Sequence, residues 1–211
     1  MTIMQKIDQS LLEEQANRGE GSGKFTPSSM GRCYRFQIWK RRKEEPTNPP
    51  DVRVLRIFKV GHLFHDFIQG FLPEHQTEVK VETEDIIGYA DIVTEEEVID
   101  IKSQNSRGFW YMKKDSYDIT KEKFTNILQV SVYAYLLGKP KTQLIFVSKD
   151  DLCAETYGFS MNVWKEKVEK ELATLRDWWK KGDLPPAEPR AYGGKECQYC
   201  PFRDKCKKEK T

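Results

Sequence analysis

Two aspartates and a lysine near the middle of the chain could together perform metal-assisted chemistry at a phosphate. Asp91 ends the segment Gly-Tyr-Ala-Asp, and Asp100 and Lys102 enclose a single residue in the segment Asp-Ile-Lys. Alternate residues of a β-strand share a face, so Asp100 and Lys102 should point the same way while Ile101 points into a core.

The segment between the two aspartates predicts a hairpin that brings their carboxylates together. If the chain reverses at Glu95 and Glu96, Asp91 lies directly opposite Asp100, with Cβ atoms about 4.5–5.5 Å apart. Carboxylates at that spacing repel unless a cation lies between them, and a hard divalent ion such as Mg²⁺ or Mn²⁺ suits them. Lys102, one pleat further, could then hold a water or the charge developing on a phosphate. The ordinary alternative is a solvated strand face with a weak ion pair, so the rest of the chain must decide.

Composition limits the class of protein but does not reveal the substrate. The chain has 211 residues, of which 38% are hydrophobic, enough for one domain with a real core. Its formal net charge is only +2, so any surface for nucleic acid must be local. The sequence lacks both an apolar run of about 20 residues and an apolar stretch at its start. We therefore expect a soluble, cytoplasmic protein with no membrane contact, in which disulfides are uncommon.

Four of the five cysteines form a pattern typical of a metal centre. Three lie near the end, at Cys197, Cys200 and Cys206, and a Cys-x2-Cys pair can hold metal from a tight turn. An all-thiolate site needs a fourth ligand, for which Cys33 is the sensible candidate. Spacing alone does not separate zinc from a [4Fe-4S] cluster. Cys153 stands apart and is expected to be a small buried residue of a strand.

Hydrophobic periodicity and turn residues predict an α/β domain with a mixed central sheet flanked by helices. Residues 104–120 should form a mostly irregular connection. We assign a helix and linker to residues 1–27, a single domain to residues 28–206, and a basic tail to residues 207–211. The predicted helices cover residues 3–18, 28–43, 52–72, 121–138 and 161–181. The predicted strands cover residues 79–84, 86–94, 97–103, 142–148 and 154–160.

The long helix over 52–72 contributes a histidine to the candidate site. Phe58, Gly61, His65, Ile68 and Leu72 recur at helical spacing and should face inward. An inward histidine is usually a hydrogen-bonded core residue. Beside an acidic pair, however, it becomes a candidate ligand, because imidazole also binds Mn²⁺ and Fe²⁺.

Several other residues point to nucleic acid as the partner. Gln129 and Tyr133 share a helix face and could position a phosphate and a base. Residues 32–59, beginning at Arg32, hold nine Lys or Arg against three acids. Arg107 lies beside Trp110 and its aromatic neighbours, an arrangement that suits stacking on single strands. Each of these features, taken alone, is more often a solvated face or a part of the core.

Taken together, these residues resemble the PD-(D/E)XK nucleases, and among them the RecB-like exonucleases. Within that group the chain looks most like the freestanding CRISPR-associated exonucleases with an iron–sulfur cluster, and AddB-type nuclease domains are similar. The resemblance covers residues 28–206 and implies a restriction-endonuclease-like core. Its motifs occur in the family's order: Gly61-x3-His65, Gly88-x2-Asp91, Asp100-x-Lys102 and Gln129-x3-Tyr133.

The resemblance implies metal-dependent hydrolysis of phosphodiesters. The implied catalytic residues are Asp91, Asp100, Lys102 and His65. The implied ligands of Mg²⁺ or Mn²⁺ are His65, Asp91, Asp100 and the carbonyl of Ile101. Lys102 would orient or deprotonate the attacking water, and Gln129 and Tyr133 would place the DNA strand, with Arg32, Arg107 and Trp110 as further contacts.

The resemblance also implies that the four cysteines hold a [4Fe-4S] cluster rather than zinc, joining the N-terminal part of the domain to the C-terminal tail. The expected protein is then a DNA exonuclease acting on single strands or free ends. Its setting would be CRISPR adaptation, or recombination and repair, in a bacterial, archaeal or phage-infected cell. The alternative is a catalytically silent or partner-dependent DNA-binding subunit with a structural metal cluster.

Overall fold

Five strands form one mixed sheet whose spatial order follows the chain, β1-β2-β3-β4-β5. The computed structural model describes residues 1–17 and 21–209. The β3–β4 pair is parallel and the other three pairs are antiparallel, which confirms the predicted α/β fold with a mixed sheet. The strands are β1 (Thr77–Glu82), β2 (Ile87–Val93), β3 (Glu97–Gln104), β4 (Lys141–Ser148) and β5 (Ala154–Ser160).

Helices cover both faces of this sheet. The main core joins α6 and α7 to strand residues such as Val98 and Phe146. Ile99 must point to the other face, where it lines a groove with Phe67 of α3. The helices are α1 (Ile3–Ala16), α2 (Tyr34–Arg41), α3 (Val52–Gln69), α4 (Ser106–Met112), α5 (Ile119–Glu122), α6 (Phe124–Leu137), α7 (Met161–Lys181) and α8 (Arg203–Lys208).

The β2–β3 hairpin has the predicted register. Ile92 pairs with Ile99 and Val93 with Val98, the pairing expected if the chain reverses at Glu95 and Glu96. The ladder stops at Ile92, so Asp91 does not continue the main-chain pairing.

The expectation of an irregular segment over 104–120 is wrong. This segment contains α4 and the start of α5. The side chain of Asn105 accepts a hydrogen bond from the Gly108 N–H at 2.8 Å and so caps α4. Within the aromatic group of this helix, Phe109 is buried, while Trp110 and Tyr111 are about half exposed.

Two predicted helices are shorter than expected. Instead of one helix over 121–138, α5 and α6 are separated at Lys123, which leaves helical geometry (φ −116°, ψ 24°). Instead of a helix over 28–43, a 3₁₀ turn at Pro27–Ser29 precedes α2. Gly31 interrupts the helix because its φ is +75°, a conformation that favours glycine. The other predicted strands and helices agree with the structure to within a few residues at each end.

The stripe predicted to face inward on α3 does not enter the main core. Phe58 is 48% exposed, and Leu55 is the buried residue of this helix. Instead, the stripe lines two open features, a cleft near its N-terminal half and an apolar groove near its C-terminal end. A helix that borders a solvent-filled site shows the same periodicity as one that is buried. Cys153 is also corrected, because it is exposed and precedes β5.

The ends of the predicted segments fall partly on positions that are not described. The predicted N-terminal helix ends at residue 18 and the linker begins at Gly19, and residues 18–20 lie outside the described residues, as do residues 210–211 of the basic tail. None of the helices within residues 1–17 and 21–209 is both long and apolar enough to cross a membrane.

Candidate active site

The predicted site residues converge on an open cleft between α3 and the central strands. The cleft has a volume of about 540 Å³. One helix face forms a wall, with the strand residues as the floor, and Lys149 just after β4 also lines the cleft. The lining residues on α3 are Ile57, Phe58, Gly61, His62, His65 and Asp66, and those on the strands are Glu78, Asp91, Ile101, Lys102 and Ser103.

Asp91 lies at the centre of this site. One of its oxygens, Oδ2, accepts a hydrogen bond from the Ile101 N–H at 2.7 Å and lies 3.5 Å from Nδ1 of His65. Burial, reinforced by the charge of Asp100, raises the pKa of Asp91 to about 7, against the opposing effects of Lys102 and the Ile101 N–H. Burial followed by the charge of Lys102 lowers the pKa of His65, which favours the neutral imidazole that metals bind.

Glu78 completes the group and was missed by the sequence reasoning. Ligand atoms of His65, Glu78 and Asp91 all lie within 4.8 Å of one another. Glu78 reaches Asp91 through the pairing of β1 with β2, in which Thr77 pairs with Ile92 and Val79 with Ala90. Starting the predicted strand at residue 79 excluded it.

The backbone and a neighbouring amide hold Glu78 in place. Its φ is +48°, an unusual value for a residue with a side chain. Nε2 of Gln69, the last residue of α3, lies 2.9 Å from both Glu78 Oε1 and the main-chain oxygen of Asp91. Backbone strain of the kind found at Glu78 concentrates at functional sites. Because Gln69 contacts both Glu78 and Asp91, it is a further residue of this site that the sequence reasoning did not identify.

Asp100 is held by two neighbouring side chains, and its role as a metal ligand stays a prediction. Its Oδ1 accepts a hydrogen bond from Gln129 Nε2 at 2.8 Å, and its Oδ2 lies 2.7 Å from Lys102 Nζ. Burial opposes the charge on Lys102, but the carboxylates of Asp100 and Asp91 outweigh it and raise its pKa. Lys102 is therefore a protonated ammonium at neutral pH.

These residues fit a hard divalent cation. His65, Glu78 and Asp91 together offer two carboxylates and one imidazole, a donor set suited to Mn²⁺ or Mg²⁺. Asp100 adds a buried oxygen, Oδ2, that makes no directed hydrogen bond within the described chain despite its proximity to Lys102. Ile101 is fully buried at the floor of the cleft, and its carbonyl as a ligand stays a prediction.

Tyr133 supports the strand beneath the site. Its side chain is buried, and a Cβ added at Gly88 would lie 2.4 Å from its hydroxyl oxygen, which explains why the residue three before Asp91 is glycine. Burial, with the charges of Asp100 and Asp91, raises the pKa of Tyr133, so its hydroxyl stays protonated. Both Tyr133 and Gln129 thus contact the site from beneath, and a direct contact of either with DNA stays a prediction.

The other predicted DNA contacts lie outside the cleft lining. Arg107 and Trp110 are exposed on α4, where Trp110 Nε1 donates to Asp151 at 3.1 Å. Arg32 is largely buried and its Nε lies 3.1 Å from Glu196. These positions leave Arg107 and Trp110 free to meet a ligand, whereas the guanidinium of Arg32 is engaged within the protein.

The cysteine region forms a second candidate centre at the junction of the chain ends. Cys33, Cys200 and Cys206 pack against an aromatic cluster of Phe36, Trp39 and Phe202, while Cys197 is exposed nearby. Burial raises the pKa of the Cys33 and Cys200 thiols. Among the described residues, the cysteines do not supply three thiols that all lie within 4.8 Å of one another.

A buried ion network joins the chain ends beside these cysteines. Glu196 is 1% exposed and accepts hydrogen bonds from the N–H groups of Cys33, Arg190 and Ala191 at 3.0–3.3 Å. We name Glu196, its partner Arg190, and Glu171, which pairs with the Arg190 guanidinium, the chain-end network. Glu171 is also buried, and it accepts from Gly31 N–H at 2.8 Å and from Arg190 at 2.7 Å. These contacts align Cys33 with the segment that precedes Cys197.

A family model decides the identity of the fold. The model of the PD-(D/E)XK nuclease superfamily matches residues 15–207, most of the chain. The chain belongs to the PD-(D/E)XK nuclease superfamily. The predicted resemblance to these nucleases is thereby confirmed at the level of the superfamily. No curated protein matches the sequence.

Solved structures share the fold of this chain, one of them over nearly its whole length. The crystal structure of SSO0001 is similar, with a TM-score of 0.62 and 18% identity, covering 98% of this chain and 96% of that one. The alkaline exonuclease LHK-Exo from Laribacter hongkongensis has a TM-score of 0.51 and 13% identity, covering 77% of this chain and 90% of that one. The same enzyme in complex with dAMP has a TM-score of 0.51 at 15% identity, covering 76% of this chain and 89% of that one.

Proposed function

We propose that this PD-(D/E)XK protein is a metal-dependent DNA exonuclease that acts on single-stranded DNA or on DNA ends. The observation that carries the proposal is the convergence of His65, Glu78 and Asp91 within 4.8 Å, beside the Asp100–Lys102 pair, in an open cleft. The similar fold of an alkaline exonuclease, solved also in complex with dAMP, agrees with a DNA substrate.

In this proposal the cleft residues have separate roles in hydrolysis. His65, Glu78 and Asp91 would hold Mg²⁺ or Mn²⁺, with Asp100 adjacent. The bound ion would supply a water of lowered pKa and stabilise charge on the attacked phosphate. Lys102, held as an ammonium by Asp100, would orient the attacking water and offset the negative charge that develops on the phosphate oxygens.

The neutral state of His65 and the fixed position of Asp100 prepare the site before substrate binds. The lowered pKa of His65 leaves its ring nitrogen free to donate an electron pair to a metal. The hydrogen bond from Gln129 keeps the Asp100 carboxylate from rotating towards solvent. Such supporting residues tune metal affinity by about 10–100-fold.

The four cysteines form the proposed site of a [4Fe-4S] cluster, held by Cys33, Cys197, Cys200 and Cys206. The resemblance to the iron–sulfur exonucleases, and not the spacing of the cysteines, implies a cluster rather than zinc. The aromatic cluster packs against three of the four residues, Cys33, Cys200 and Cys206. In this proposal the cluster is structural, and zinc is the alternative occupant.

Trimming of DNA ends is the step that this chemistry would serve. CRISPR adaptation, which captures short DNA segments, and recombination both generate ends that need trimming. We propose that the protein works in one of these settings, with adaptation or recombination proteins as its partners.

Cleavage of end-labelled single-stranded DNA tests the proposal. Protein purified without oxygen is incubated with Mn²⁺ or with EDTA, beside two variants: Asp100→Asn in the site and Glu95→Gln, an exposed acid on the β2–β3 turn, as the control. We expect Mn²⁺-dependent shortening of the label by wild type and by Glu95→Gln, and at least a hundredfold loss in Asp100→Asn. A folded wild-type protein that binds the DNA but does not cut it would instead be a DNA-binding subunit.

The colour of the same preparation tests the cluster. An iron–sulfur protein is brown, whereas a zinc protein is colourless. A colourless, folded protein that contains one zinc and no iron would refute the cluster without touching the nuclease proposal.

A further inference from the structure

Phe58 and Lys149 line the cleft but do not belong to the proposed metal site. Phe58 projects from α3 with 48% of its surface exposed, although it lines the same cleft as His65. Lys149 follows β4, also lines this cleft, and is half-buried. Among the described residues, its ammonium has no ion-pair partner. An exposed aromatic ring and an unpaired ammonium that share one cleft suit a ligand that has both an apolar face and a negative charge.

The cleft is polar at one end and apolar at the other. The end near the C-terminal half of α3 carries Asp66, Glu78 and Asp91, whereas the other end is formed by Ile57 and Phe58. Phe58 and His65 are seven residues apart on the helix, which at 1.5 Å per residue corresponds to about 10 Å. That separation is one or two nucleotides along an extended strand. The acidic end repels phosphate unless a metal ion is bound, whereas Phe58 at the other end offers a ring to a base without that repulsion.

We propose that Phe58 and Lys149 form a nucleotide subsite in which the phenyl ring stacks on a base of the substrate strand and the ammonium contacts a neighbouring phosphate. The inference rests on the proposed function, and it specifies the substrate as a single strand with unpaired bases. An interior base of a duplex has both faces covered by its neighbours and cannot lie against an aromatic side chain. Stacking on aromatic residues is indifferent to sequence and worth about 1–3 kcal/mol per base, which is about 5- to 150-fold in affinity.

A comparison of strands with and without bases isolates this contact. The probes are a fluorescent oligothymidylate and the matched oligonucleotide in which abasic sites replace the thymidines. Binding is measured by anisotropy with Mn²⁺, in an Asp100→Asn background that removes turnover. The variants are Phe58→Ala and Phe58→Trp, with Phe71→Ala as the matched control. Phe71 is 78% exposed and lies just after α3, but it borders the separate apolar groove.

We expect the background protein to bind the thymidylate at least fivefold more tightly than the abasic strand. Phe58→Ala should abolish that preference by weakening thymidylate binding alone, and Phe58→Trp should restore it. Phe71→Ala should keep the preference for the thymidylate over the abasic strand. Replacement of Lys149 by Met should weaken both probes equally, because both carry the same phosphates, and should reduce the dependence of binding on salt.

Two outcomes would overturn the subsite. The first is an unchanged preference in Phe58→Ala, which would leave Phe58 as part of an apolar α3 surface that meets a protein. The second is an equal loss of the preference in Phe71→Ala, which would mean that an exposed ring outside the cleft has the same effect. Failure of the proposed function gives a different result, namely no Mn²⁺-dependent cleavage by wild type whatever the base preference of binding.

Discussion

Replacement of Asp91 by Asn should stabilise the metal-free protein while abolishing its metal binding. The carboxylate is buried, and its pKa is raised from an ordinary 3.8 to about 7. That difference corresponds to about 4 kcal/mol at 1.36 kcal/mol for each tenfold step. The amide oxygen can still accept from the Ile101 N–H, but its NH₂ needs a new acceptor. We therefore expect a gain of about 1–3 kcal/mol in the free energy of unfolding at pH 8.

The way in which stability changes with pH tests the direction of the pKa shift of Asp91 without relying on its magnitude. A raised pKa means that between about pH 4 and pH 7 the native chain keeps a proton on Asp91 that the unfolded chain has released. This contribution to stability is therefore present at low pH, falls as the pH rises through that window, and changes no further above it. The stability of Asp91→Asn should lack this decline.

Urea denaturation in EDTA, followed by circular dichroism at pH 5 and pH 8, measures both quantities. Asp85→Asn is the matched control, because the hydrogen bond from Arg176 lowers the pKa of Asp85, and its replacement should destabilise the protein. Added Mn²⁺ should stabilise wild type but not Asp91→Asn. The reasoning fails if Asp91→Asn is no more stable than wild type in EDTA at pH 8.

Three further substitutions test the surroundings of the two centres. Gly88→Ala should destabilise the protein by about 1–3 kcal/mol and lower cleavage, because its Cβ meets the Tyr133 hydroxyl; a normal melting temperature with full activity would contradict this. Gln129→Ala should weaken Mn²⁺ binding by about tenfold or more, because it removes the hydrogen bond that fixes the Asp100 carboxylate. Calorimetry measures this affinity, and an unchanged value would show that the Gln129 amide is dispensable. Glu196→Gln should lower the iron content per folded protein, read from the visible absorbance, because it loosens Cys33; full loading would remove Glu196 from any role at the cysteines.

The register of the active-site hairpin was predictable because it depends on local geometry. Once a reversal at Glu95 and Glu96 is assumed, antiparallel pairing fixes every opposite pair, and Ile92 and Ile99 meet as expected. The end of α6 at Gly138, with a φ of +67°, was predictable for the same reason, since glycine at that position commonly terminates a helix.

The exact composition of the metal site was not predictable, because it depends on contacts between distant segments. Glu78 joins Asp91 only after β1 pairs with β2, and its left-handed backbone has no signature in the sequence. Gln69 reaches both from the end of another helix. The periodicity of α3 likewise predicted its orientation but did not distinguish a buried face from the wall of a cleft.

The chain-end network has a consequence for the order of events during synthesis. The partners of Gly31 and Cys33 are Glu171 and Glu196, which leave the ribosome long after the segment they hold. Contacts between residues so far apart in sequence form late, because the intervening chain must first be ordered. A nascent chain therefore presents Cys33 in an open segment until Glu171 and Glu196 have emerged, so the proposed metal centre at the cysteines would assemble only after that later segment has been synthesised.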